Sequence, residues 1–378
     1  MRAFRIILTL LILAGVAVLC VVRWDAWFTN PPEPQWTGDT ITYSFHTFGD
    51  DSVPGFEYNG IAWEDLREPD TLRILLFGDV HNSLTHAQWE AVANRHPQTD
   101  CYAQLGDFVE RGYFYYNQKL YHDLQGTAFD SLPLINVPGN HEYRKGIRRT
   151  LPDYWTETFR HPHNGPLGFD GTTYFVDFED LRLIAINTNG LQHIHEMTRV
   201  NTWLKKTIQT AGDRFVMVIM HHPVHSCGAG RQNIHIAATF IRALDNVDII
   251  FAGHDHNYSR RLPYVNTNSA TKFYLHKLGK RDSRVASGVQ LYEDIALYGD
   301  TLRMQTRLLD SGDIYDEVLI VRHGDSKEII ESIPATPEII NIPQKYINSD
   351  KRKVQRFHSR REKRLNPAPV VSLPDTVR

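Results

Sequence analysis

The sequence predicts an α/β fold, in which strands and helices alternate along the chain. From residue 71, apolar runs of four to seven residues recur, and most are followed by a stretch whose apolar positions have helical spacing. Such runs are typical of strands whose sheet is covered on both faces. The apolar fraction of 42% is ordinary for a globular core and argues against a wholly disordered chain.

The N-terminal region, residues 1–28, contains an apolar run from Ile6 to Val22 that predicts a membrane anchor. Arg2 and Arg5 precede the run, and Trp24 and Trp27 follow it. A helix of this length would measure about 26 Å, slightly short of a hydrocarbon core of roughly 30 Å but workable if flanking side chains extend to the interface. The tryptophans suit that interface.

A cleaved signal peptide is the alternative interpretation of this segment. Gly15, Val16 and Ala17 offer small residues before a possible cleavage point, but the apolar run continues to Val22. We therefore favour an uncleaved transmembrane helix. The two arginines ahead of it predict a cytoplasmic N-terminus and place the rest of the chain outside the cytoplasm, in the periplasm if the source is bacterial.

Residues 29–70 are predicted to be a spacer with one possible edge strand. The prolines of Asn30–Pro34 exclude a helix and favour an extended linker. Farther along, Ile41, Tyr43 and Phe45 alternate with polar neighbours, which predicts a short strand.

The main domain is predicted over residues 71–325. Its first part should contain six strands, at Leu72–Phe77, Cys101–Leu105, Leu132–Val137, Leu181–Ile186, Phe215–Met220 and Val247–Phe251. Helical patterns lie at Thr85–Arg95, Tyr113–Leu124, Thr198–Thr210 and Ile234–Leu244. Ligands of such sheets gather beyond the carboxyl ends of the strands, and polar motifs occupy those positions here.

After residue 270 the pattern changes to consecutive strands, which we expect to complete a second sheet. The predicted strands are Lys272–His276, Val289–Leu297, Thr301–Leu309 and Glu317–Val321, and Gly299-Asp300 suits a tight hairpin turn.

Residues 326–378 are predicted to be a basic and largely unfolded tail. Residues 351–378 carry a net charge of +7, so the remainder carries −10 within the total of −3. Prolines and charges dominate from Thr336 onward, and eight basic residues lie within Lys351–Arg364.

Five short polar motifs follow the predicted strands, and together they indicate a metal site. They are Asp79-Val80-His81, Gly106–Gly112, Gly139-Asn140-His141-Glu142, His221-His222-Pro223 and Gly253-His254-Asp255-His256. In order and spacing these motifs resemble those of the calcineurin-like metallophosphoesterases, over roughly residues 71–323. The resemblance implies a four-layer α/β/β/α sandwich and a hydrolase of phosphoric esters that uses a metal-bridging hydroxide.

The resemblance also implies a set of metal ligands. Asp79, His81 and His256 would hold one ion, Asn140, His221 and His254 would hold another, and Asp107 would bridge the two. Mixed oxygen and nitrogen donors suit Mn, Fe, Zn or Ni better than Ca. Three cysteines are too few for a disulfide framework, and Cys227 near the site is interpreted as an ordinary small residue.

Three further residues receive catalytic roles from the resemblance. His141 would protonate the leaving group, or alternatively would hydrogen-bond only to the residues around the metals. Glu110 would orient His141, and it stands where purple acid phosphatases have a tyrosine ligand, so a coloured iron site is not expected. Arg111 would bind the phosphate, with a structural salt bridge as its alternative. His222 and His225 could line the cleft or lie on a surface loop.

The predicted substrate is a phosphorylated small molecule, lipid or protein. The anchor and the basic tail would keep the site near a lipid surface, which raises the case for a lipid phosphate, because clustered cations gain on the order of 1 kcal/mol each near anionic lipid. We prefer the competing interpretation, in which the tail only solubilises the C-terminus or meets another polyanion and the anchor retains a phosphatase of small phosphates or phosphoproteins. A nucleic-acid partner is not expected. A non-catalytic phosphoryl-binding or scaffold module on the same fold is the alternative function.

Overall fold

The computed structural model describes residues 7–9, 11–15, 33–43, 45–48, 57–58, 61–62, 71–145, 149–324, 326–347 and 351–365. Residues 7–9 and 11–15 are helical, but most of the predicted anchor, Ile6–Val22, lies outside the described residues. In the part of the chain that is described, no helix combines the length and apolar character that crossing a membrane requires. The transmembrane helix therefore stays a prediction.

Within the described residues, sixteen strands form a small hairpin and two seven-stranded sheets. The strands are β1 (Glu57–Tyr58), β2 (Ile61–Ala62), β3 (Leu72–Phe77), β4 (Cys101–Gln104), β5 (Leu134–Asn136), β6 (Tyr174–Asp177), β7 (Leu181–Ile186), β8 (Phe215–Met220), β9 (Ile249–Ala252), β10 (Tyr258–Arg261), β11 (Tyr264–Asn266), β12 (Arg284–Ala286), β13 (Leu291–Tyr298), β14 (Thr301–Leu308), β15 (Ile314–His323) and β16 (Ser326–Ser332). The first sheet has the order β16-β15-β14-β13-β3-β4-β5, and the second has the order β12-β10-β11-β9-β8-β7-β6.

Helices lie between these strands and at the C-terminal end. They are α1 (His86–Arg95), α2 (Phe114–Leu124), α3 (Asp153–Thr158), α4 (Ile194–Gln209), α5 (Ile234–Phe240), α6 (Gln344–Ile347) and α7 (Lys351–Leu365), with a 3-10 turn at Ala128–Asp130. Thr85 begins α1 with a capping box, since its hydroxyl accepts the Gln88 N–H while the Gln88 side chain accepts the Thr85 N–H. Parallel strands β3, β4 and β5 are connected through α1 and α2, as the sequence pattern predicts.

The central strands are buried on both faces because each sheet lies between two cores. In β3, Ile74 and Leu76 pack in the core between the sheets, whereas Leu75 and Phe77 pack beneath the helical layer with Trp89. The second sheet repeats the arrangement, with one set of side chains facing the first sheet and the other packing under α4 and α5. This layering matches the α/β/β/α sandwich implied by the resemblance.

The late strands differ from the prediction in their sheet membership. β13 pairs antiparallel with β3, and β14, β15 and β16 follow it outward, so they extend the first sheet instead of completing a second one. The hairpin turn at Gly299-Asp300 is confirmed by the pairing of Tyr298 with Thr301. The predicted strand Lys272–His276 is wrong, since this segment makes only an isolated bridge between His276 and Gly228.

Two other expectations outside the main domain also need correction. Residues 41–43 and 45–48 form no strand; Phe45 and Phe48 are buried, and the His46 carbonyl accepts a hydrogen bond from Leu134 N. The prediction of an unfolded tail is wrong for β16 and α7. The Phe357 side chain of α7 is only 3% exposed. Its burial stabilises a helix that the highly charged sequence did not predict.

Candidate active site

Seven polar side chains converge at the carboxyl ends of five strands. These are the predicted metal ligands Asp79 and His81 after β3, Asp107 after β4, Asn140 after β5, His221 after β8, and His254 and His256 after β9. Because β3, β4 and β5 are parallel in one sheet and β8 and β9 are parallel in the other, their ends meet along one edge of the sandwich.

Asp107 lies at the centre of this group. Its Oδ2 atom is 3.5 Å from His81 Nε2 and 3.4 Å from His221 Nε2. A single carboxylate oxygen therefore faces imidazoles from both sides of the site. This is the position that a bridging ligand requires.

The first cluster of ligand atoms consists of Asp79, His81, Asp107 and His256, all buried and all within 4.8 Å of one another. His256 Nδ1 donates to the Lys272 carbonyl at 3.1 Å, and His81 Nδ1 lies 3.0 Å from Glu110 Oε2. The His256 contact leaves a lone pair on its Nε2, which lies 3.1 Å from His81 Nε2. Together with the carboxylates of Asp79 and Asp107, these nitrogens form a donor set that fits a metal ion.

The second cluster surrounds His221. Its Nδ1 donates to the Leu105 carbonyl at 2.9 Å, and its Nε2 lies 3.3 Å from Asn140 Oδ1 and 3.2 Å from His254 Nδ1. His222 lies beside this group, where its Nδ1 contacts the Thr188 hydroxyl at 2.9 Å. These donors are again nitrogen and oxygen atoms that suit a divalent cation.

Asp79 also has a buried oxygen atom that a cation could coordinate. Its Oδ2 accepts the backbone N–H of His254 at 2.7 Å, but the buried Oδ1 has no hydrogen-bond partner. Oδ1 lies 3.5 Å from His256 Nε2. A buried carboxylate oxygen without a donor is costly, and metal coordination would satisfy it.

The backbone at the site is strained at four of the predicted ligands. His81, Asp107, His254 and His256 have φ of 51°, 55°, 68° and 48°, in the left-handed region that L side chains seldom adopt. Such conformations persist only where the surrounding structure enforces them, and they concentrate at functional sites.

Electrostatics around Asp107 and His221 favour their charged forms. Burial raises the pKa of Asp107, but the imidazoles of His221, His141 and His81 outweigh it and hold that pKa well below its usual value. Burial lowers the pKa of His221, but Asp107 and Asp79 outweigh it and raise the pKa to about 9. The pocket is therefore built to hold positive charge beside Asp107.

Comparison with known proteins agrees with this geometry. Residues 72–258 match the family model of the calcineurin-like phosphoesterases. Residues 72–258 form a calcineurin-like phosphoesterase domain. Its two-sheet α/β fold and its buried cluster of Asp and His ligands are those of a metallophosphoesterase.

Two curated relatives of this phosphoesterase are named as glycerophosphodiester phosphodiesterases, GpdQ. The protein from Enterobacter lignolyticus is 27% identical over 133 residues, covering 33% of this chain and 45% of the relative. The probable GpdQ of Arcobacter nitrofigilis is 22% identical over 194 residues, covering 49% of this chain and 66% of the relative. The matches thus span less than two thirds of either relative.

Solved structures show the same fold at low identity. Purple acid phosphatase PPD1 from yellow lupin (Lupinus luteus) has a TM-score of 0.51 and 13% identity, covering 68% of this chain and 54% of its own. PhoD has a TM-score of 0.52 and 8% identity, covering 78% and 77%. At these identities the likeness concerns the fold alone.

The predicted catalytic residues surround the predicted metal ligands. The backbone N–H of His141 donates to Asp107 Oδ1 at 2.7 Å, and its Nε2 lies 4.0 Å from Asp107 Oδ2. Its Nδ1 contacts the backbone carbonyl of Glu110. The Glu110 carboxylate lies 3.0 Å from His81 Nδ1, and Glu110, His81 and His141 form a group whose ligand atoms lie within 4.8 Å of one another. The role of Glu110 in orienting His141 stays a prediction.

A large cavity of about 1030 Å³ opens over the metal ligands. Asp107, His254 and His256 line its floor, and Arg149 and Arg231 contribute positive charge to its walls. Tyr274, in the segment predicted to be a strand, lies on its rim. The space and its charge suit an anionic substrate of moderate size.

Arg111 lies outside this large cavity, in a smaller one of about 250 Å³. Asn140, His141 and Lys145 line both cavities, so the two meet beside the metal site. Arg144 and Lys272 also line the smaller cavity, which gives it a positive wall. Arg111 is thus placed near His141 and not over the centre of the ligand cluster.

Several functional contacts were missed in the sequence. The Glu142 carboxylate accepts four backbone N–H groups and so shapes the Asp107 loop. In the sequence, only the Asn-His-Glu order of the third motif pointed to Glu142. Arg231 Nη2 donates to the His254 carbonyl at 2.9 Å, and its Nε donates to Asp255 Oδ1 at 3.1 Å. No motif marked Arg231.

His225 and Cys227 lie away from the reaction centre. His225 packs edge-on against Tyr264 and lines a separate cavity. Cys227 is buried with its thiol 3.7 Å from the Asn257 carbonyl, and burial raises its pKa well above the usual value. The interpretation of Cys227 as an ordinary small residue is consistent with this environment.

Proposed function

We propose that the protein is a metal-dependent hydrolase of phosphoric esters. The observation that carries the proposal is the arrangement around Asp107 Oδ2, where buried imidazole nitrogens and carboxylate oxygens gather within 4.8 Å of one another. Such a set of nitrogen and oxygen donors suits metal cations. The large cavity above it leaves room for an ester to approach.

The ligand assignment follows the two clusters. Asp79, His81 and His256 would hold one ion, Asn140, His221 and His254 would hold the second, and Asp107 would contact both. Two such ions, drawn from Mn, Fe, Zn or Ni, would supply hydroxide by lowering the pKa of a coordinated water and would neutralise the phosphoryl oxygens.

The remaining residues bind the substrate and move its protons. The contact between His141 Nδ1 and the Glu110 carbonyl fixes the ring so that Nε2 faces the site, where it can donate a proton to the departing oxygen. Arg149 and Arg231 stand along the large cavity and Arg111 along the smaller one, and their guanidinium groups can bind phosphoryl oxygens.

The ester type is proposed from the relatives. Both are named as glycerophosphodiester phosphodiesterases, which favours a diester as substrate. The test is hydrolysis by the purified chain, loaded in turn with each of the four metals, of bis(4-nitrophenyl) phosphate and 4-nitrophenyl phosphate. Faster turnover of the diester is expected. Binding of phosphate without turnover of either ester would establish the non-catalytic alternative.

We further propose that the Ile6–Val22 run anchors the protein with its catalytic domain outside the cytoplasm. The support is the run itself, with Arg2 and Arg5 before it. In bacterial spheroplasts that express the full chain, external protease is expected to digest the domain. Protection until lysis would contradict this orientation.

A further inference from the structure

The C-terminal helix α7 is docked on the domain with a cationic outer face. Its fifteen residues include eight lysines and arginines and a single acidic residue, Glu362. Phe357 faces inward, whereas five of the cations are exposed: Arg352, Lys353, Arg356, Arg360 and Lys363. Over 15 residues the helix extends about 22 Å, so these charges form an elongated array.

Specific contacts fix the position of α7. Phe357 packs in a small core with Leu275, Leu278, Val285 and Ile340. Arg364 donates to both carboxylate oxygens of Glu338, at 2.6 and 2.7 Å, and Arg360 Nη1 donates to the Lys277 carbonyl at 2.8 Å. The cationic face therefore has a defined direction relative to the domain.

Repulsion among these clustered positive charges destabilises α7 when the helix is considered alone. Arg352 and Arg356, and likewise Arg356 and Arg360, stand four residues apart on one face, where like charges repel. Phe357 burial and the pair between Arg364 and Glu338 hold the helix in place despite this repulsion. An external anionic surface would relieve it.

A neighbouring cavity of about 370 Å³ continues the positive surface. Arg261, Lys277, Lys280 and Arg281 line it. Asp282 also lines it, but its Oδ2 is engaged by the Gly279 N–H at 2.8 Å. Lys277 joins the cavity to the helix, because its carbonyl receives the hydrogen bond from Arg360.

Burial, together with Arg261, Lys277 and Arg281, lowers the pKa of His225 in this cavity to about 4. The lowered value is in keeping with a concentrated positive potential on this side of the domain.

We propose that the cationic face of α7 and the adjoining cavity dock on a membrane surface that contains anionic lipid. Lipid phosphates would pair with the cations, and the interface would accept apolar side chains. Ile347, the last residue of α6, is 52% exposed, and Leu365, the last residue of α7, is 42% exposed. Together with the Ile6–Val22 run, these apolar residues favour a lipid surface over a polynucleotide.

A local probe on α7 tests this docking independently of the N-terminal run and of catalysis. The full chain, carrying Cys20→Ser and a polarity-sensitive dye at exposed position 359 through Ser359→Cys, is reconstituted into phosphatidylcholine vesicles with or without phosphatidylglycerol. Cys101 and Cys227 are buried and should not react. The dye is expected to shift to the blue only with the anionic lipid, and high salt should reverse the shift.

Charge variants decide whether the cationic face of α7 causes the shift of the dye. Arg352→Gln, Arg356→Gln and Lys363→Gln together should abolish the shift and leave ester hydrolysis unchanged. Lys205→Gln, Lys206→Gln and Arg242→Gln remove the same charge from exposed positions on α4 and after α5, and should preserve the shift. An equal shift in both triple variants, an equal loss in both, or a shift with double-stranded DNA but not with anionic vesicles would overturn the proposal.

Discussion

The Glu142 carboxylate holds the backbone of Asp107, since Asp107 N donates to Glu142 Oε2 at 2.8 Å. The same oxygen accepts Gly139 N at 2.6 Å, and Oε1 accepts Phe108 N at 2.8 Å. Glu142 is buried, and burial together with the nearby Asp107 carboxylate raises its pKa to about 7. A side chain without a metal contact thus fixes the loop that carries the central ligand.

Glu142→Gln should therefore weaken both the fold and metal binding. An amide replaces one acceptor oxygen with an N–H₂ group that faces backbone donors, so at least about 2 kcal/mol of stability should be lost. Urea unfolding and metal analysis of the purified protein measure the two effects. Glu90→Gln, on the exposed side of α1, is the control and should behave as wild type. Unchanged metal content in Glu142→Gln would contradict a role in holding Asp107.

Asp107→Asn tests the central position of that carboxylate. The neutral amide removes the negative charge that lies between His81 and His221, so turnover of an aryl phosphodiester should fall roughly a thousandfold or more. Metal content should fall as well. Asp313→Asn alters an exposed carboxylate and should retain full activity. Near-normal turnover in Asp107→Asn would exclude Asp107 as the shared ligand.

His141→Ala should separate proton donation from metal binding. Because His141 lies beside Asp107 without belonging to either ligand set, metal content should be preserved. Turnover of an alkyl ester, whose leaving group needs a proton, should fall by about 10²–10⁴-fold, and 4-nitrophenyl esters should be affected much less. Equal losses for the two leaving groups would indicate that His141 only positions the substrate.

Local apolar pattern predicted the central strands well, because it directly reflects their burial. Leu72–Phe77, Leu181–Ile186 and Phe215–Met220 have the predicted bounds, since each strand is covered on both faces. Sheet membership of β13 depends on its pairing with β3, more than two hundred residues earlier in the chain, and no local pattern encodes that choice. The same holds for α7, whose folding depends on the remote core around Phe357.

In the candidate site, too, the local sequence predicted some features, whereas others depend on contacts between remote parts of the chain. Order and spacing of the motifs predicted that these seven side chains would meet, because they follow strands whose carboxyl ends lie at one edge. Their role as metal ligands stays a prediction. Side-chain direction was not predictable: Glu110 turns to His81, and Arg111 lies in the smaller cavity. Arg231 reaches the site from a loop without any motif, so only the folded structure reveals its contact with His254.

A buried polar network joins the two sheets through the residues that follow the last motif. Arg260 of the second sheet donates to both oxygens of Asp316 in the first, at 2.7 and 3.1 Å. The Tyr258 hydroxyl donates to the same carboxylate at 2.6 Å. Nearby, the Thr306 hydroxyl donates to Glu293 Oε2 at 2.6 Å. Arg260 pairs with Asp316 and Glu331, so Glu293 has no cation of its own within the described network.

Glu293 should consequently make stability fall as pH rises. Burial raises its pKa from 4.5 to about 8, so the native state keeps a proton that the unfolded state releases. Between those two values the native state binds more protons, and unfolding becomes easier with increasing pH by the linkage relation. Across this window the free energy of unfolding is expected to fall by an amount on the order of a few kcal/mol.

Glu293→Gln is neutral throughout the pH range and keeps an oxygen that can accept from Thr306. Urea unfolding followed by circular dichroism from pH 5 to about 9 should therefore show a smaller decline for this variant than for wild type, with Glu157→Gln, an exposed site on α3, following wild type. Parallel curves for Glu293→Gln and wild type would show that Glu293 is already ionised in the native state.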